Sequence, residues 1–157
     1  MKKAQSFFSA MALSSALLAL SLTGCASTKT AAASDQNKGD CKFEFGANVS
    51  AYFLGETYLN NLVRFDGEKH FAETNTVTFA PKARNADWHT HGEMYVIGVA
   101  GEGIYQEEGK EPVIIKKGDV VHIPAGVRHI HGATEDSWFQ QIVIYDKNWK
   151  ATETQGE

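Results

Sequence analysis

The sequence predicts an all-β protein, built as an antiparallel barrel or sandwich. Between Phe43 and Tyr145, short runs rich in β-branched and aromatic residues recur at intervals of roughly 8–12 residues. Glycine and proline turn signals separate these runs. The chain has no long amphipathic helical pattern and no internal repeat. We therefore expect the core of the domain to be made of strands joined by tight turns.

Nine strands are predicted in chain order, each bounded by turn or polar residues. They cover 57–65, 74–80, 87–91, 94–100, 103–107, 112–116, 119–123, 129–133 and 138–145. The segment Gly101-Glu102-Gly103 is interpreted as a turn between two of these strands. It is not interpreted as a phosphate loop, because no helix follows it to direct backbone N–H groups at a phosphate.

The first 24 residues have the pattern of a secretory signal. A basic start precedes an apolar run over 7–22, which ends in Leu22-Thr23-Gly24-Cys25. This tetrapeptide resembles the lipobox of bacterial lipoproteins, which implies a signal peptide over 1–24 and lipidation of Cys25. An ordinary signal peptide or a membrane anchor is the alternative. The lipid would hold the protein on a membrane of the bacterial cell envelope, and Ala26 favours the periplasmic face of the outer membrane.

The remainder divides into a tether, a domain and a tail. Residues 25–42 form the lipidated cysteine and a small, polar tether, 43–145 the barrel, and 146–157 a polar tail. Without the signal segment the chain has 133 residues, with 13 basic and 19 acidic side chains. This acidic balance argues against nucleic-acid binding and against a polybasic membrane patch. Cys41 would then have no intramolecular partner, so no disulfide framework is expected.

Two histidine pairs predict a metal site. Five of the six histidines fall in two blocks, and each block holds a His-x-His pair, His89 with His91 and His129 with His131. Residues two apart on a strand point to the same face, so each pair can direct both rings into the barrel. Neutral imidazole is the commonest protein ligand for divalent transition metals. The pattern therefore predicts a metal held inside a small barrel.

The other histidines have less defined roles. On a regular strand His131 faces the same interior as His129, where it would contact substrate or support the metal ligands. A core histidine bonded to the backbone is the alternative. His122 is interpreted as a structural or surface residue, and His70 as a solvated loop residue.

The motifs resemble those of the cupin family. His89-x-His91 with the acid that follows resembles the first cupin motif, and the segment from Gly118 to His129 resembles the second. More narrowly, the chain resembles small bacterial cupins found beside carboxymuconolactone decarboxylase-like proteins. The resemblance implies a conical antiparallel β-barrel, a homodimer, and a divalent metal held by His89, His91, His129 and one more side chain. Mn or Fe is expected, with Zn, Ni and Cu as alternatives.

The fourth ligand is where the sequence departs from the family pattern. The family register falls on Met94, whereas the acidic residue, Glu93, lies one position earlier. A strand bulge would restore Glu93 to the site, since bulges re-aim side chains. A carboxylate suits Mn or Fe, whereas a thioether favours Cu(I). We favour Glu93, with Met94 or no fourth ligand as the alternatives.

The resemblance also implies an enzyme that acts on a small organic molecule. Similar cupins catalyse dioxygenation, isomerisation, C–C cleavage or decarboxylation at the metal. Gln141 stands in the last strand, where some relatives with lyase activity place a histidine. A glutamine cannot act as a general base, but it can hydrogen-bond a substrate, so His131 and Gln141 are the candidate catalytic residues. The alternative function is a non-catalytic lipoprotein that binds a small ligand.

Overall fold

The architecture is taken from a computed structural model, which describes residues 38–64, 72–146 and 152–153. The predicted signal peptide, the lipidation site Cys25, His70 and most of the tether and tail lie outside these residues. Within the described part, helical structure is limited to two three-residue 3₁₀ turns, Lys38–Asp40 and Ser50–Tyr52. No helix among these residues is long and apolar enough to cross a membrane. The all-β prediction is confirmed.

Twelve strands make up the described fold. They are β1 (Ala47–Asn48), β2 (Phe53–Leu54), β3 (Thr57–Val63), β4 (Ala72–Phe79), β5 (Arg84–Asn85), β6 (His89–Thr90), β7 (Met94–Glu107), β8 (Val113–Lys116), β9 (Val120–Ile123), β10 (His129–Ala133), β11 (Phe139–Asp146) and β12 (Thr152–Glu153).

All strand pairs are antiparallel, and the sheet curls into two facing halves. In the first half the order is β1-β3-β4-β11-β7-β9. In the second half it is β8-β7-β10-β5-β2, with β6 between β10 and β12. Strand β7 belongs to both halves, its first residues to one and its last to the other. The sheet is therefore closed on one side by the strand that connects the halves, as the predicted cupin barrel requires.

The prediction of a turn at 101–103 was wrong, because β7 runs through these residues as one strand of 14 residues. Glycine permits the change of sheet at this point. Gly101 has a φ of +72°, and a Cβ there would lie 1.7 Å from the Trp138 carbonyl oxygen. A Cβ on Gly103 would lie 2.3 Å from the Phe139 ring. The glycines therefore allow β7 to bend closely around β11 and do not mark a chain reversal.

The register gives the barrel two distinguishable ends. At one end, which we call the bend end, Phe139 pairs with Gly101 and Ala133 pairs with Gly103. At the other, the histidine end, His129 pairs with both Glu107 and His89. Strand β7 passes from one half to the other at the bend end, and we call the opposite end, where the histidines lie, the mouth of the barrel.

The hydrophobic core fills the space between the halves. Phe79 and Phe139 are fully buried and come from adjacent strands, β4 and β11, where they are paired. Val96, Ile115 and Ile123 are likewise buried from β7, β8 and β9. Burying one such side chain contributes about 1.5–3 kcal/mol, so both halves depend on this shared core.

The segment before β1 is fastened to the outside of the first half. Gln140 accepts hydrogen bonds from the backbone N–H groups of Lys42 and Phe43, at 2.7 and 3.0 Å, and donates to the Phe43 carbonyl at 2.9 Å. The Phe45 ring packs against that of Trp138 at 5.5 Å, and the Lys38 ammonium lies 4.5 Å from the centre of the Trp138 indole. We call this segment the N-terminal clamp. It holds residues 38–45 against the barrel near its bend end.

Candidate metal centre

Three histidines converge at the histidine end. His89 lies on β6, His91 directly follows this strand, and His129 opens β10, where it is paired with His89. Each offers one ring nitrogen, and these three atoms lie within 4.8 Å of one another. The two His-x-His blocks are brought together as the sequence predicts, and three of their four members could hold a metal ion.

Backbone carbonyls determine which nitrogen of each ring faces the centre. The Nδ1 of His89 lies 3.3 Å from the Asp87 carbonyl oxygen, that of His91 is 2.5 Å from Gly92, and that of His129 is 2.9 Å from Val127. A carbonyl oxygen can only accept, so each Nδ1 carries the proton and each Nε2 is left with its lone pair. In metal-bound histidines, the ring nitrogen that faces away from the metal usually donates a hydrogen bond in this way.

The spacing of the free nitrogens suits one cation. The Nε2 atoms of His91 and His129 are 3.1 Å apart. Two ligands at right angles on a metal with bonds of about 2.1 Å would be separated by about 3.0 Å. With both Nδ1 atoms protonated, two lone pairs face each other at this distance, which is unfavourable unless a cation lies between them. The three histidines therefore fit a divalent transition metal, and imidazole alone does not select which one.

The histidines are held in the neutral form that binds metals. Burial lowers the pKa of His89 and His91. Burial, with help from the other two rings, lowers the pKa of His129 to about 4. These rings stay unprotonated at pH values at which a free histidine becomes charged, so protons compete weakly with a metal for the centre.

Glu93 is not brought to this centre. Its side chain is half exposed, and its carboxylate accepts a hydrogen bond from His122 Nε2 at 2.7 Å. The bulge expected to return Glu93 to the centre is not found there, because the register shift of β7 lies between Gly98 and Ala100, opposite Gln140 and Gln141. The alternative fourth ligand, Met94, is buried in the core.

His131 lies two residues beyond His129 on β10, towards the bend end of the barrel. It is 6% exposed, and its Nδ1 accepts a hydrogen bond from Gln141 Nε2 at 2.9 Å. Burial, then the neighbouring histidines, hold the pKa of His131 well below its usual value. The two candidate catalytic residues therefore meet in the interior, although they come from opposite halves. As oriented, His131 carries its proton on Nε2.

Two further residues at this end were missed by the sequence reasoning. Tyr105 belongs to the buried core, and the centre of its ring lies 5.7 Å from that of His129. Glu107 is paired with His129 across the sheet. Burial, then the carboxylate of Glu107, raise the pKa of Tyr105. The ammonium of Lys110 lowers the pKa of Glu107, with which it forms an ion pair at 2.5 Å. Strand parity would have found both, since Tyr105 and Glu107 alternate with outward residues on β7.

A large concave surface lies elsewhere. A cavity of about 720 Å³ lies on the outer face of the second half, lined in part by Arg84, Ile104, Ile114 and Ile130. None of the converging histidines borders it. We assign the chemistry to the histidine end, because perturbed titratable groups and converging ligand atoms are found there. His122 is exposed on the outer surface, as expected.

Fold and site together define a small antiparallel β-barrel with a candidate three-histidine metal centre at its mouth. The family model described as cupin domain matches residues 75–145. A cupin-like protein from Thermotoga maritima MSB8, known from a crystal structure, is 39% identical with a TM-score of 0.64, and the match covers 69% of this chain and 82% of that chain. The chain belongs to the cupin family.

Two enzymes are also similar to this chain. The (R)-mandelonitrile lyase of Granulicella tundricola is 39% identical over 74 residues, which are 46% of this chain and 55% of the enzyme. The chain thus spans about half the length of this relative. The DMSP lyase DddQ from Ruegeria pomeroyi DSS-3 has 22% identity and a TM-score of 0.57, with 74% of this chain and 62% of that chain covered. This second likeness concerns the fold alone.

Proposed function

We propose that this chain is a metal-dependent cupin enzyme that cleaves a carbon–carbon bond in a small organic molecule. The observation that carries the proposal is the convergence of one ring nitrogen from each of three histidines, while a backbone carbonyl lies within 3.3 Å of each Nδ1. Mn or Fe on His89, His91 and His129 would act as a Lewis acid towards an oxygen of the substrate. The lyase class is favoured over dioxygenation, isomerisation and decarboxylation because the similar Granulicella enzyme is a mandelonitrile lyase.

The protein side chains have distinct tasks in this proposal. Cleavage of a cyanohydrin breaks the bond to the nitrile carbon, leaves that electron pair on cyanide, and transfers the hydroxyl proton to the cyanide, which gives a carbonyl compound and hydrogen cyanide. The His131 Nε2–H is available to donate a hydrogen bond to an atom that gains negative charge. Gln141 holds His131 in this tautomer through the bond to Nδ1. Gln141 itself exchanges no proton.

The test combines metal analysis with turnover. The full-length chain would be loaded separately with Mn(II), Fe(II) and Zn(II), and the metal content would be measured beside release of benzaldehyde from mandelonitrile. We expect one bound metal per chain and turnover that is lost in His91→Ala. A protein that takes up no divalent metal would refute the proposal, and so would a loaded protein that cleaves neither mandelonitrile nor aliphatic cyanohydrins.

A binding lipoprotein without catalysis is the second candidate. The observation in its favour is Gln141, which replaces a side chain able to transfer protons with one that only hydrogen-bonds. This candidate would be supported by a metal-loaded protein that binds a carbonyl compound, does not convert it, and cleaves no cyanohydrin. The two functions share the metal centre and differ in turnover alone.

We further propose that the protein is anchored by lipid on Cys25 to the periplasmic face of the outer membrane. The lipobox-like Leu22-Thr23-Gly24-Cys25 supports this proposal. Expression with radiolabelled palmitate should label the wild type and leave Cys25→Ser unlabelled, and cell fractionation should follow the label. Label on the Cys25→Ser chain would contradict it.

A homodimer is also proposed, since β8 pairs with β7 alone among the described strands and exposes apolar side chains on both of its faces, Val113 at 55% and Ile114 at 46%. Light scattering during gel filtration should give twice the chain mass. A monomer at micromolar concentration would contradict this proposal.

A further inference from the structure

Tyr105 has the features of a substrate-contacting residue. It is 5% exposed and lies on the interior face of β7, with its ring beside that of His129. Its hydroxyl is buried and has no hydrogen-bond partner. Buried hydroxyl groups in folded proteins almost always find a partner, and an unpaired one calls for an explanation such as a ligand.

A second unpaired oxygen lies in the same part of the interior. Gln141 is fully buried, and its Nε2 donates to His131 Nδ1, but its Oε1 has no partner. Tyr105 is the register partner of His131 on the adjacent strand. Both residues with an unpaired oxygen are therefore next to His131. Tyr105 lies on the adjacent strand of the same half of the barrel, and Gln141 contacts His131 from the opposite half.

No hydrogen bond within the described protein accounts for a hydroxyl group on the side chain of Tyr105. Burial, and then the Glu107 carboxylate, raise the pKa of the Tyr105 hydroxyl, but this carboxylate is itself paired with Lys110 at 2.5 Å and does not complete a hydrogen bond with the phenol. A phenylalanine would fill the same volume without burying an unpaired oxygen. The side chain is thus more polar than packing alone requires, at a point next to the candidate metal centre.

We infer that the Tyr105 hydroxyl and the Gln141 Oε1 form a hydrogen-bonding subsite of the substrate pocket, for a neutral hydroxyl or carbonyl group. The inference rests on the proposed function, since it takes the barrel interior as the substrate site. The phenol donates to an oxygen of the ligand, and the amide oxygen accepts from a ligand hydroxyl. No cationic side chain joins them among the described contacts, and Glu107 lies at the mouth, so the pair suits a neutral group better than a carboxylate or phosphate.

The experiment deletes one oxygen atom. Tyr105→Phe and the wild type, as full-length chains with and without Mn(II), would be titrated with hydroxyacetone, a small neutral compound with one hydroxyl and one carbonyl, by two-dimensional NMR. Urea unfolding would be measured on the same samples. Tyr52→Phe is the matched control, because it deletes the same atom from a side chain that is 77% exposed.

We expect Tyr105→Phe to bind hydroxyacetone roughly tenfold more weakly than the wild type. Its unfolding midpoint should be unchanged or higher, since no native hydrogen bond is lost. Tyr52→Phe should match the wild type in both measurements. Equal affinity of Tyr105→Phe and wild type would overturn the inference. So would a lower unfolding midpoint, which would reveal a structural bond, and so would a wild type that does not bind the probe.

Failure of the proposed function would look different. The titration can be read without metal and without turnover. Weakened binding in Tyr105→Phe with no cyanohydrin cleavage by the loaded wild type would keep the subsite and reject the lyase. Cleavage with no effect of Tyr105→Phe on binding, kcat or KM would keep the lyase and reject the subsite.

Discussion

Replacing His129 by leucine should separate metal binding from folding. His129 is fully buried, and its Nδ1 donates one hydrogen bond, to the Val127 carbonyl at 2.9 Å. Its Nε2 faces that of His91 at 3.1 Å, lone pair to lone pair. Leucine has a similar volume and removes both features. The metal-free His129→Leu protein should therefore fold with a stability close to that of the metal-free wild type.

The magnitudes follow from the contacts. A net loss of about 1 kcal/mol is expected for the hydrogen bond to Val127, partly offset by relief of the lone-pair contact with His91. A metal at about 100 times its Kd should stabilise the wild type by about 2.7 kcal/mol, or raise its Tm by about 10 °C. If losing His129 weakens binding by about 100-fold, the same metal concentration stabilises the variant by only about 0.4 kcal/mol.

Urea denaturation of both proteins with and without Mn(II) measures all four stabilities. His122→Leu is the matched control, because it removes a half-exposed histidine on the outer face, and it should keep the metal-induced increase. A His129→Leu protein with the full metal-induced increase would refute the assignment of this histidine. A metal-free variant that fails to fold would refute the argument that the imidazole is there for the metal.

Three other outcomes are expected. The unfolding free energy of the metal-free wild type should fall as the pH drops through about 6.5. Below this pH His129 is protonated in the unfolded chain, whereas in the folded protein, where its pKa is about 4, it stays neutral. The loss from this residue is about 2 kcal/mol at pH 5, and urea curves at pH 5 and 7 with equal stability would contradict it. Glu93→Gln should retain the metal affinity of the wild type by calorimetry, since its carboxylate contacts His122, and a tenfold loss would place it at the metal. Gly101→Ala should lower the Tm by 10 °C or more, on the order of 3 kcal/mol, because its Cβ would meet the Trp138 carbonyl, and an unchanged melting curve would contradict the bend at this residue.

The sequence predicts the strands well because each carries its own local signal. All nine predicted segments overlap observed strands, as 129–133 does with β10 and 112–116 does with β8, and two of them, 94–100 and 103–107, are parts of the single strand β7. The turn at 101–103 was predicted wrongly because glycine has two uses that look alike in a sequence. It permits a chain reversal, and it also permits close approach of two backbones, as at Gly101.

The sequence predicts those parts of the candidate site that depend only on the spacing of residues along a strand. It does not predict the parts that depend on contacts between residues far apart in the sequence. The parity of His89, His91 and His129 follows from strand geometry. Glu93 is bonded to His122, which lies 29 positions away on β9, so its outward position depends on the pairing of β7 with β9. Likewise, the contact between Gln140 and Phe43 joins residues 97 positions apart. No local pattern contains such information, so the N-terminal clamp was not foreseen.

The N-terminal clamp has a consequence for the way this barrel is presented to its surroundings. The segment lies beside Trp138, at the bend end, whereas the three histidines open at the opposite end. A pulling force applied upstream of Lys38 would be borne by the side-chain bonds of Gln140 and by the Trp138 contact. The N-terminal clamp and the candidate metal centre lie at opposite ends of the barrel, so a load on Lys38 would first meet contacts that none of the three histidines makes.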